Sequence, residues 1–179
     1  MRSRNQFADK KQLVSIIVPT LNEEYAIGQV LSLIPYRELE RAEVIVIDGG
    51  SSDGTTEIAK ALGVTVKIQK GTGYGRAIVE AISYARGDIL VFIDGDGVYD
   101  PREIPKLLKV MKEEKADLVI GSRFRGEVKP GTTPFLRLMA NKLLNLFFGL
   151  LLRRPITDAF SGFIVAKKMT LSRIERLPG

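Results

Sequence analysis

The sequence predicts an α/β domain with a mostly parallel central sheet and helices on both faces. Three observations predict it. Short apolar runs rich in Val and Ile recur through the first 120 positions, and stretches of helical spacing separate them. The run Ile89 to Ile93 is apolar throughout, as in a strand covered on both faces. The runs end in Pro, Asp and Gly, the residues of turns that leave a sheet edge.

In chain order, Leu13 to Val18 is the first strand, closed by Pro19. Glu23 to Ile34 has helical spacing, with Ile27, Val30, Leu31 and Ile34 on one stripe and Pro35 as its stop. Val44 to Ile47 is the second strand and ends in Asp48. Asp53 is placed to cap a helix from Gly54 to Leu62, which Gly63 terminates. Val64 to Ile68 is the third strand, Gly75 to Ala85 the third helix and Ile89 to Ile93 the central strand. A helix from Arg102 to Lys115 and a strand at Leu118 to Ile120 follow. From Gly121 to Pro134, Gly and Pro recur among charged residues and read as a loop. The 179 residues suit a single domain.

Composition narrows the chemistry. Apolar residues make up 45% and charged residues 27%, a globular balance. The chain has no Cys and no His, which excludes disulfides, thiolate nucleophiles, Ser-His-Asp triads and zinc sites built on nitrogen or sulfur. A bound metal would need oxygen ligands, which points to magnesium, manganese or calcium. The net charge of +6 is uneven: residues 1–119 hold 16 Lys and Arg against 18 Asp and Glu, whereas residues 120–179 hold 11 against 3. Such a basic last third suits a phosphate ligand, a membrane surface or a nucleic acid, or is simply a solvated face. The stretch Phe135 to Leu152 is apolar but interrupted by Arg137, Asn141, Lys142 and Asn145, too broken for an ideal span of about 20 residues. It reads as an interfacial helix or as a core helix. Met1 to Lys11 is polar and basic, with no apolar stretch of the secretory kind.

Ligands of open α/β sheets bind beyond the carboxyl ends of the strands, so the residues after each strand are the candidates. Asp94-Gly95-Asp96 follows the most apolar strand. In extended chain, residues two apart face the same side, and two hard carboxylates suit magnesium or manganese. A plain Asp/Gly turn is the bland alternative. Asp48 leads the turn Asp48 to Thr55, where its carboxylate is able to accept from a base or ribose or else simply to hold the turn. Lys70 to Arg76 is Gly-rich and precedes a helix, as in loops that wrap a diphosphate, but it matches neither standard nucleotide fingerprint.

With these residues placed, the sequence resembles the family 2 glycosyltransferases of the GT-A fold. Within that family it most resembles the dolichyl-phosphate or polyprenyl-phosphate mannosyl- and glucosyltransferases. The matching stretches are VSIIVPTLNEE, VIVIDGGSSDGT, GYGRAI, ILVFIDGDGVYDP, VIGSRF and TDAFSGF, in the family's order across residues 13–164. The resemblance implies that Pro19, Leu21 and Glu23 form a nucleotide-contacting loop, with Asp48 as the base-side carboxylate. It implies that Asp94, Gly95 and Asp96 form the motif for a divalent ion, magnesium or manganese, and the donor diphosphate. It assigns Arg123 and Arg137 to the acceptor phosphate, Arg123 also touching the donor. Asp158, Ser161 and Gly162 match an Asp-x-x-Ser-Gly-Phe element, which the residues alone present as a helix cap and turn.

The expected reaction is inverting transfer of a hexose from GDP-mannose or UDP-glucose to a dolichyl or polyprenyl phosphate. It would take place at the cytoplasmic membrane surface, without nucleic acid. Asp96, Arg123 and Arg137 would be its catalytic residues. The nucleotide-sugar half would span about 12–120, and the acceptor and membrane-facing part about 121–179. Two features depart from the family pattern. Val98 stands where a ligating Gln is common, and relatives commonly continue past the position of Gly179, so a shortened or minimal form is expected. A non-catalytic nucleotide-sugar-binding domain and a glycan-extending transferase, with Asp158 as its late carboxylate, remain alternatives. A phosphoacceptor signalling domain fits less well, because Pro19 and Thr20 follow the first strand where an acidic pair would be needed.

Overall fold

The computed structural model describes residues 12–122, 158 and 161–174. Its strands are β1 (Val14–Thr20), β2 (Ala42–Asp48), β3 (Thr65–Ile68), β4 (Ile89–Phe92), β5 (Leu118–Ile120) and β6 (Ile164–Lys167). The helices are α1 (Ile27–Ser32), α2 (Thr55–Ala61), α3 (Tyr74–Tyr84), α4 (Ile104–Glu113) and α5 (Lys168–Ile174), with a 3-10 turn at Pro101–Glu103. The six strands form one sheet in the order β3-β2-β1-β4-β6-β5. β1 pairs in parallel with β2 and β4, and β2 with β3. β6 is antiparallel to both its neighbours, β4 and β5.

All seven residues of β1 are buried, because each of its faces meets a separate apolar layer. On one face Ile16, Val18, Val46 and Val91 pack with Ile27 and Leu31 of α1, Ala59 of α2 and Ile104 and Met111 of α4. On the other, Ile17, Ile45, Ile47, Leu90 and Phe92 pack with Ala77 and Ala81 of α3, and Leu171 of α5 rests against them. The alternation of side chains along a strand sends neighbours such as Ile16 and Ile17 to opposite layers. The sheet is thus mostly parallel and covered on both faces, as the apolar runs predict.

The boundaries differ where local bonds override pattern. The chain turns at Glu23, whose carbonyl accepts from Ala26 and Ile27, and α1 proper begins only at Ile27. The fourth helical stretch starts as the 3-10 turn, because the Asp100 side chain accepts from Arg102 N and Pro101 occupies the first turn. Lys115, at φ 51°, ends it. Neither β6 nor α5 is among the elements expected from the sequence: the cap and turn expected at Ser161 and Gly162 lead instead into a strand. Arg123, Arg137, the loop to Pro134 and the stretch Phe135 to Leu152 lie outside the described residues. Among the described residues, no helix is long and apolar enough to cross a membrane.

Candidate active site

The carboxyl ends of the parallel strands form one rim, and the antiparallel β6 begins at that same rim. Its first residue, Ile164, pairs with Phe92 near the end of β4 and with Ile120 at the end of β5. Reversal of β6 therefore carries Ser161 and Gly162 to the edge where Asp94 emerges.

The loops after β1 and β2 lock each other. Asn22, in the left-handed region at φ 55°, donates its N–H to Ser51 Oγ (2.8 Å) and accepts from Ser52 N at Oδ1 (2.9 Å). Glu23 N donates to Thr55 Oγ1 (2.8 Å), Glu24 N to Asp53 Oδ2 (3.2 Å), and Gly54 N to Glu24 Oε2 (3.1 Å). Asp53 also accepts from Thr55 N (3.0 Å) and braces the entry to α2, whose N-cap is Gly54 rather than the expected Asp53. The Thr55 hydroxyl bond holds the Asp53 carboxyl below its ordinary value.

Asp48 has no exposed surface. Its Oδ1 accepts from Gly50 N (3.0 Å) and Ser51 N (2.8 Å), and its Oδ2 from Ser51 Oγ (2.5 Å) and Thr20 Oγ1 (3.4 Å). Of the two roles open to it in the sequence, turn-holding is the one these bonds perform. Pro19 is buried under the rim, Leu21 is 56% exposed beside the turn, and Glu23 is half-buried.

After β4, Gly95 N donates to Pro19 O (3.2 Å), so the acidic turn lies on the first loop. A Cβ at Gly95 would sit 2.5 Å from Thr20 Cγ2, which explains the glycine between the two acids. Asp94 is half-buried and its Oδ1 accepts from the Tyr74 hydroxyl (2.8 Å). Asp96 is exposed and accepts from Val98 N (3.0 Å), while the Val98 side chain, 50% exposed, offers no ligand. Burial raises the Glu23 carboxyl above its ordinary value, and the charges of Asp96, Asp53 and Asp94 raise it further. Desolvation, with the Asp94 charge beside it, likewise pushes the Tyr74 hydroxyl up. The four carboxylates thus share one field of negative potential.

Among the described residues, no three acidic side chains converge as a complete metal site. The donor set nonetheless fits a hard cation: Asp94 and Asp96 offer oxygen, and magnesium-type ions commonly complete their shell with substrate phosphates and water. In the Gly-rich loop before α3, whose composition suits a diphosphate cradle, the first two N–H groups are bound within the protein. Lys70 N and Gly71 N both donate to the Glu80 carboxylate (2.9 and 3.2 Å), which Arg76 also approaches at 3.5 Å.

Two residues escaped the sequence reading. Tyr74 reaches Asp94 across 20 positions. Tyr99, buried behind the acidic turn, accepts from Gly162 N (2.9 Å) and bonds Ser161 Oγ (3.1 Å). Ser161 Oγ also bonds the Gly121 carbonyl, and Asp158 is 2% exposed. At the opposite end of the sheet lies a hollow lined by Leu13, Arg41, Ala42, Glu43 and Arg86, two of which form an ion pair in its wall, Arg86 Nε to Glu43 Oε2 at 2.7 Å.

Similarity to known proteins agrees with this geometry. Glycosyltransferase AglJ of Haloferax volcanii is 37% identical over 151 residues, covering 84% of this chain and 48% of that protein. A dolichol-phosphate mannosyltransferase of Pyrococcus furiosus is 32% identical over 174 residues, covering 92% of this chain and 49% of that protein. The chain spans about half the length of these curated relatives. Among solved structures, glucosyl-3-phosphoglycerate synthase of Mycobacterium tuberculosis, crystallised with Mn2+ and UDP-glucose, superposes with a TM-score of 0.71 at 28% identity, covering 90% of this chain and 58% of that one. The pattern described as glycosyl transferase family 2 matches residues 15–174, and with the parallel sheet and its acidic rim this establishes that the chain belongs to that family.

Proposed function

We propose that the protein transfers a hexose, mannose or glucose, from a nucleoside-diphosphate sugar to the phosphate of a dolichol or other polyprenol, with inversion at the anomeric carbon. The observation that carries the donor half is the acidic rim: Asp94, Gly95 and Asp96 follow the carboxyl end of β4, and the bond from Gly95 N to Pro19 O lays them on the loop that leads to Glu23. Asp94 and Asp96 would hold a magnesium or manganese ion, which when bound stabilises negative charge on a leaving diphosphate. The loop of Pro19, Leu21 and Glu23 would receive the nucleotide, whether GDP or UDP, with Asp48 stiffening the turn beside it.

The acceptor half is supported by the similarity to a dolichol-phosphate mannosyltransferase and by the basic last third of the sequence. A phosphate oxygen attacks the anomeric carbon, the bond from that carbon to the diphosphate oxygen breaks, and the nucleoside diphosphate departs. A phosphate monoester has a second pKa of about 6, so the nucleophile is already ionised at neutral pH and needs no general base. This suits a chain without His. Arg123 and Arg137 would grip the acceptor phosphate through their planar forks, with the protein resting on the cytoplasmic membrane face.

The test offers labelled GDP-mannose and UDP-glucose to the protein with a short polyprenyl phosphate, with magnesium, manganese or chelator. Metal-dependent label in the lipid phase from one donor is the expected outcome. Donor binding without transfer would favour a nucleotide-sugar-binding role.

A further inference from the structure

Asp94 is gripped from two sides. On one side the Tyr74 hydroxyl donates to its Oδ1 at 2.8 Å. Tyr74 is the first residue of α3, and Gly73 before it, at φ 89°, makes the turn that brings it to the rim. The residue as a whole is 53% exposed, so burial alone does not dictate its position. On the other side Gly162 comes so near that a Cβ there would overlap the Asp94 carboxylate, Oδ2 foremost. Gly162 is held by Tyr99, whose hydroxyl accepts its N–H and whose ring lies against Phe163 with centroids 5.6 Å apart.

A carboxylate left to itself turns about its Cβ–Cγ bond, and each orientation presents different lone pairs. Here a hydrogen bond fixes one oxygen while a wall without a side chain confines the other. We propose that Tyr74 is a positioning residue for the donor site, holding Asp94 in the rotation that meets a divalent cation, with Gly162 and Tyr99 forming the opposing wall. The inference rests on the donor-site reading of Asp94 and Asp96. It also gives a purpose to the GYGR and SGF stretches, which bear no evident ligand of their own.

The test is Mn2+ binding followed by electron paramagnetic resonance, with UDP and separately with GDP, on the wild-type protein, Tyr74→Phe and Tyr84→Phe. Tyr84 closes the far end of α3, beside Lys67. Hydrogen-bond partners of ligating groups are typically worth about 10-fold or more in metal affinity. Tyr74→Phe is expected to weaken Mn2+ binding by about that factor at an unchanged melting temperature, while Tyr84→Phe leaves it alone. Wild-type affinity in Tyr74→Phe overturns the inference, as does equal weakening in both variants or a loss that tracks a fall in melting temperature. If the wild-type protein itself binds no Mn2+ with either nucleotide, the donor-site reading fails first and the positioning role falls with it.

Discussion

Asp94 and Asp96 stand two residues apart, yet one is half-buried under Tyr74 and Gly162 while the other is exposed. Asp96→Ala therefore removes a ligand without opening the core. Transfer should be abolished with the melting temperature unchanged, and full activity in that variant would dispose of the metal assignment. Glu23 carries a sign that melting curves read directly. Its folded pKa is raised, so its ionised form opposes folding, and the penalty enters as pH rises from 4.5 through the folded value. Glu23→Gln should raise the metal-free melting temperature at pH 7, with no gain below pH 4. A gain that persists in acid would refute the electrostatic cause. The acidic pair was legible because it follows an apolar strand. Tyr74 was not, because nothing in its own neighbourhood shows which side chain 20 positions away it will meet.

Among the elements, the interlocked loops after β1 and β2 make the most specific claim. Asn22→Ala loses the bond to Ser52 N and places an Ala at φ 55°. A cost of about 1–3 kcal/mol is expected from chemical denaturation. At the other end of the sheet, burial alone would raise the Glu43 carboxyl, but the Ser15 hydroxyl and Arg86 outweigh it and hold it below its ordinary 4.5. A lowered folded pKa supplies stability above the ordinary value and loses it as pH falls through the folded one. Glu43→Gln should thus be less stable than wild type at pH 7 and level with it in acid; a deficit independent of pH would assign the loss to packing. The strands through β5 were legible from apolar runs and turn residues. β6, at Ile164–Lys167, runs against its neighbours and so breaks the alternation that announced the others.

For the whole molecule, one sheet divides two apolar layers, so Ile16 and Ile17 report on different halves of the core. Both side chains are fully buried. Ile16→Ala and Ile17→Ala should each cost about 2–5 kcal/mol. Unfolding should remain a single transition, since both layers lean on the same β1; two separated transitions in either variant would show that the layers melt independently. The charge asymmetry was plain in the sequence, but what the basic third faces was not, because a phosphate ligand, a membrane surface and a nucleic acid all attract the same excess of Lys and Arg. The contact between Ser161 Oγ and the Gly121 carbonyl works there as a drawstring. It cinches the chain that leaves β5 to the chain that enters β6 at the rim. Gly121 and Ser161 stand 40 positions apart in the sequence, so this clasp is where the chain leaving β5 and the chain entering β6 share an anchor, and loosening it would free the antiparallel edge of the sheet from the end that carries the acidic turn.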